Sequence, residues 1–102
     1  MDLIPVIREL EKEWDLDQGF LGGVRQGEFY PDKLERLVRI LESVKLGNET
    51  IINKKFVSLT WYMPIFLIWQ RDRFIQKGKD INELDRAINR IEGLLEQILG
   101  IP

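Results

Sequence analysis

Residues 59–70, LTWYMPIFLIWQ, pack two tryptophans, a tyrosine, a phenylalanine, a methionine and four aliphatics around one proline. A chain of 102 residues has room for about one hydrophobic core, so the fate of this segment constrains everything else. A membrane-spanning helix needs about 20 mainly apolar residues. The apolar-rich window here, 56–69, is shorter. Ser58, Thr60 and Pro64 interrupt it, Lys54 and Lys55 precede it, and Arg71, Asp72 and Arg73 follow it. It reads as a helix buried among others, apolar on nearly every side, with Trp61 and Trp69 expected in the core. Pro64 removes a helical amide and crowds the carbonyl of Thr60, so a kink is expected near Trp61.

The rest of the chain reads as helices that would surround it. Leu3, Ile7, Leu10 and Trp14 repeat at spacings of 4, 3 and 4, one helical face, with Asp2 as a cap and Pro5 tolerated in the first turn. Glu9 with Glu13 and Asp15 with Asp17 form carboxylate pairs, expected on a solvated face. Residues 15–32 hold Gly19, Gly22, Gly23 and Gly27. These disfavour a long helix but leave room for one buried turn at Phe20, Leu21 and Val24. Pro31 suits the first position of the next helix, Asp32 and Glu35 form a capping-box pattern, and Leu34, Leu37, Val38, Leu41 and Val44 form its stripe up to Gly47. A third long helix spans about 54–77, capped by Asn53 and ended by Gly78. In the last, Ile81, Leu84, Ile88, Ile91, Leu95 and Ile98 recur at 3, 4, 3, 4 and 3, a seam of coiled-coil type, with Asp80 and Glu83 at its start. No strand alternation is present. The expectation is a single all-α domain over 1–102: a compact bundle of four main helices, with a short fifth in the glycine-rich region, around a central, proline-kinked apolar helix.

Composition removes many functions. The chain has neither cysteine nor histidine, which takes away thiol nucleophiles, thiolate and imidazole metal sites, and the usual general base near neutral pH. The glycine cluster lacks the lysine and hydroxyl of a phosphate-binding loop. No catalytic residue, cofactor site or metal site is expected. The net charge of −2 is distributed as an acidic start, a basic stretch over 53–79 and an acidic end. Charge-complementary helices explain this better than a nucleic-acid footprint. The first residues show no positively charged leader, and a cytoplasmic protein is expected. The sequon at Asn48 is read as chance.

The remaining reading is a non-enzymatic helical module that binds another protein, an inhibitor or immunity-type partner being one form. In size and composition the chain is similar to the small acidic helical proteins that neutralise bacterial toxins, although no motif identifies one. The expected contact residues are Arg25, Gln26, Glu28, Phe29 and Tyr30, where glycines force side chains outward and at least one aromatic is exposed beside an arginine. Arg71 and Arg73 form a second group, suited to an acidic partner. The alternative is a homodimer paired through the seam of the last helix. A third reading is a small-ligand-binding or enzymatic bundle that uses Arg71, Arg73 and Tyr62 around the Pro64 kink, its pocket lined by Trp61, Tyr62 and Trp69.

Overall fold

The computed structural model describes residues 1–102 and contains five helices and no strand. They are α1 (Ile4–Trp14), α2 (Phe20–Arg25), α3 (Pro31–Glu42), α4 (Lys54–Gln76) and α5 (Asn82–Leu99). The all-α bundle and the short fifth helix are both present. One core of 24 buried hydrophobic residues draws on all five.

Each helix starts and stops for a local reason. Asp2 accepts from the Ile4 amide at 3.0 Å, and Asp80 accepts from the Asn82 amide at 2.9 Å. Asn53 caps α4 by accepting from the Lys55 amide at 2.8 Å. Pro31 opens α3 at a position needing no amide donor. The capping box expected there does not form. Tyr30 is the N-cap residue, and Glu35 reaches across to Arg90 of α5 instead, at 2.7 Å. Gly78 ends α4 with φ +71°, a conformation that favours glycine.

α4 runs unbroken through Pro64. The Thr60 side chain, fully buried, donates to the Phe56 carbonyl at 3.0 Å, so its hydroxyl is satisfied inside the helix's own backbone. α5 packs on one flank of α4, while α1 and α2 pack on the other; α3 touches α1, α2 and α5 but not α4. The molecule measures 44 × 29 × 20 Å. Its shortest dimension is about two helix diameters, so the long helices form two layers and α4 keeps one side open.

That thickness overturns the expected burial of the two tryptophans. Phe56, Leu59, Met63, Phe66, Leu67 and Phe74 of α4 do enter the core. Trp61 and Trp69, however, are 53% and 64% exposed. With two layers, one side of the long α4 is left uncovered, and its apolar surplus faces outward.

The carboxylate pair Glu9 and Glu13 also divides. Glu9 is exposed as expected, whereas Glu13 is 1% exposed. Its carboxylate accepts from the Phe20 amide at 3.0 Å, and from Arg36 Nε at 2.7 Å and Nη2 at 3.2 Å. Arg36 also donates to the Gln18 carbonyl at 2.6 Å. One buried acid therefore ties the end of α1 to the start of α2 and the middle of α3. The hydrogen bond to Glu13 raises the Arg36 pKa, with burial opposing and the charge of Glu13 assisting. The backbone closes tightly here. A Cβ on Gly19 would collide with the carbonyl of Glu13, and one on Gly22 with the carbonyl of Asp15.

Candidate functional site

The open side of α4 is the most unusual surface of the molecule. At about 100° per residue, Lys54, Trp61, Ile65, Ile68 and Asp72 fall on one outward stripe. Trp69 and Tyr62 border it on the α1 side, and Ile75 on the α5 side. Ile68 and Ile75 are 47% and 52% exposed. An apolar stripe of this kind is not a normal end state for a helix, whose apolar face ordinarily turns to the core.

The aromatic rings along this border touch in series. Trp61 lies 5.5 Å from Tyr62 between ring centroids, and Trp69 stands edge-on to Tyr62 at 5.9 Å. Tyr62 stacks on Trp14 of α1 at 6.1 Å, and Trp14 meets Phe66 edge-on at 5.1 Å. Trp14 is fixed from behind, its indole nitrogen donating to the Leu59 carbonyl at 3.0 Å. Phe66 is buried and anchors the series to the core. The exposed rings are thus held by packing and lose little freedom on contact.

Arg25 joins this aromatic border from α2. Its guanidinium sits 5.1 Å from the Phe66 ring centroid and 5.8 Å from that of Trp14, within cation–π range. Of the seven residues expected from the sequence to contact a partner, Arg25 alone stands in this aromatic series.

The others mostly hold the molecule together. The C-terminal carbonyls of α2 and the following turn are gripped by cations from the end of α4 and the turn beyond it. Arg73 donates to the Arg25 carbonyl, Lys77 to the Gln26 carbonyl at 3.3 Å, and Lys79 to the Gly27 carbonyl. Cations at a helix C-terminus satisfy its free carbonyls and complement its dipole. Glu28 pairs with Lys79 at 3.3 Å. Phe29 is half-buried, edge-on to Phe20 at 5.4 Å. Tyr30 is 43% exposed, so one aromatic of this pair is outward as expected, with the Lys33 ammonium 4.5 Å from its ring centroid. Its ring also lies against Gly23, where a Cβ would come within 2.9 Å of it. Arg71 lies apart from this group and pairs with Asp85 of α5 at 2.6 Å. That hydrogen bond raises the Arg71 pKa.

The groove beside Pro64 is lined by Trp61, Leu95, Glu96 and Leu99 among others. Tyr62 and Trp69, expected to share it, point to the other flank of α4. The seam residues of α5 are largely consumed within the chain: Leu84, Ile88, Ile91 and Leu95 are buried, and Ile81 and Ile98 pack half-buried against the core. No helix is long and apolar enough to cross a membrane.

A count of apolar residues puts Trp61 and Trp69 inside, but the number of helices available to cover them leaves both exposed. The signal that could have found the surface is the turn-to-turn line Trp61, Ile65, Ile68, Asp72, which ends in a charge that a buried face would exclude. No protein-family model matches this chain, and neither the curated proteins nor the solved structures searched provide a match.

Proposed function

We propose that this protein is a non-enzymatic interaction module that docks a protein partner on the outer stripe of α4. The observation that carries the reading is the pair of exposed tryptophans, held rigidly by Tyr62 and Trp14 and bordered by Arg25. Tryptophan, tyrosine and arginine are the residues that dominate binding energy at interfaces, and exposed apolar patches on a small domain mark interaction sites. The charged groups supply no competing chemistry. The one buried carboxylate, Glu13, is saturated by Arg36 and the Phe20 amide, and the chain offers no thiol or imidazole.

The test is quantitative affinity capture with the wild-type chain and with the Trp61→Ser/Trp69→Ser double variant, counting an untagged copy of the chain itself among the possible partners. The expected result is a protein held by the wild type and released by the variant, with the variant still helical and unfolding cooperatively. Identical capture by both folded baits removes the reading.

A further inference from the structure

The outer stripe of α4 carries its own charge code. Its charged members are Lys54 at one end and Asp72 at the other. Both are exposed, and neither takes part in any of the six ion pairs within the chain. They are eighteen residues apart, five helical turns, and therefore point the same way about 27 Å from each other. Between them lie Trp61, Ile65 and Ile68. The stripe thus reads positive, apolar, negative, and a reversed copy reads negative, apolar, positive.

We propose that a second copy of this chain covers the stripe, two α4 helices packing antiparallel about a two-fold axis with Lys54 of each opposite Asp72 of the other. The proposal rests on the docking face described above and names its occupant. Setting Lys54 against Asp72 fixes the register of everything between. Trp61 then faces Ile65 of the second copy, and Trp69, on the α1 border, lies opposite the exposed Ser58. Trp61 meets an aliphatic side chain, and each terminal charge meets its opposite. A parallel arrangement would set Lys54 against Lys54 and Asp72 against Asp72. A two-fold interface requires one patch to complement itself, and this stripe meets that requirement in charge.

The exposed area sets the strength. A fully buried tryptophan covers about 150–250 Å², so Trp61 and Trp69 at 53% and 64% exposure contribute about 180–290 Å² per copy. Stable interfaces bury about 800 Å² per partner. With Ile65, Ile68, Ile75 and the lysine methylenes added, the stripe falls at the low end of that scale, where association is weak and concentration-dependent.

Sedimentation of the full chain from micromolar to about 1 mM, with circular dichroism on each variant as a folding control, tests the proposal. The wild type is expected to pass from monomer to dimer mass over this range. Lys54→Glu or Asp72→Lys alone weakens the dimer by about tenfold, because one substitution places two like-charge pairs in the symmetric interface. The combined Lys54→Glu/Asp72→Lys chain returns to within about threefold of wild type, because the swapped charges again meet their opposites across the two-fold. Trp61→Ser, folded, stays monomeric throughout. A wild type that remains monomeric at every concentration overturns the proposal, as does a dimer that the double swap fails to rescue. Those results alone leave the docking face standing if capture is still lost in the tryptophan double variant. Unchanged capture in that variant removes both.

Discussion

α4 and α5 lie side by side, and both are rich in large apolar residues, yet they use them in opposite ways. In α5 the apolar positions recur at 3 and 4, and Leu84, Ile88, Ile91 and Leu95 all enter the core. The outer face of α5 is polar. In α4 the apolar residues occupy both sides, so Phe56, Met63 and Leu67 are buried while Trp61, Ile68 and Trp69 meet solvent. Periodicity identifies a buried face only where it exists. Where it is lost through surplus apolar residues, the surplus has left the core and meets solvent.

The sharpest way to break this contrast is on α5. Ile88→Asp places an unpaired carboxylate among buried aliphatics, a cost of several kcal/mol against a domain stability of about 5–15 kcal/mol. Far-UV circular dichroism is expected to show no cooperative unfolding transition. A folded, helical Ile88→Asp chain would mean that the α5 seam is not core.

On the inner side of α4, Phe56→Ala should destabilise by about 3–5 kcal/mol, read from urea unfolding. Glu13→Ala comes next, at about 2–3 kcal/mol. It orphans the buried Phe20 amide, while Arg36, about half exposed, regains water. Trp69→Ala on the outer side should cost no more than about 1 kcal/mol while abolishing association. If Trp69→Ala unfolds at the same urea concentration as Phe56→Ala, the two faces of α4 are not different and the docking surface is lost with them.

The smallest effect lies between α3 and α5. The hydrogen bond from Arg90 holds the Glu35 carboxyl below its ordinary value of 4.5, with the charges of Arg90 and Arg39 assisting. Because the folded pKa lies below the unfolded one, the contribution is present above about pH 4.5 and disappears as pH falls through the folded value. The thermal midpoints of wild type and Glu35→Gln should therefore differ at neutral pH, only slightly for so exposed a pair, and converge in acid. A constant offset across the titration would show that the pair does not act through charge.

Much of this fold is legible in the residues. Leu3, Ile7 and Leu10 identify the inner face of α1, Pro31 and Asn53 mark helix starts, and Gly78 marks a stop, because each depends on local chemistry. Glu13 could have been recognised too. It sits three residues beyond Leu10 and beside Trp14, on the inward face, yet an acid among acids reads as solvated until its cation is found 23 residues away in α3. The exposed stripe of α4 is hidden in the sequence for a different reason. Whether Trp61 is covered depends on how many helices exist to cover it, and 102 residues supply only two layers. Arg71 and Arg73 look like one basic group in sequence, but consecutive odd positions on a helix diverge by about 200°, and they serve different neighbours.

The corner around Glu13 has a further meaning in terms of chain closure. Its hydrogen bonds join residues seven and 23 apart, whereas the ties from α4 and the turn after it back to α1 and α2 span 45 to 52, and the tie between α3 and α5 spans 55. Closing a short loop sacrifices less chain entropy than closing a long one, and contacts of low sequence separation form fastest. The first three helices can therefore begin to gather around one carboxylate before α4 is in place. Gly19 and Gly22 matter for that closure, since a side chain at either position would collide with the backbone at the end of α1. The exposed tryptophans belong to α4, whose tie to α5 spans only 14 residues while its ties to α1 and α2 span 45 or more.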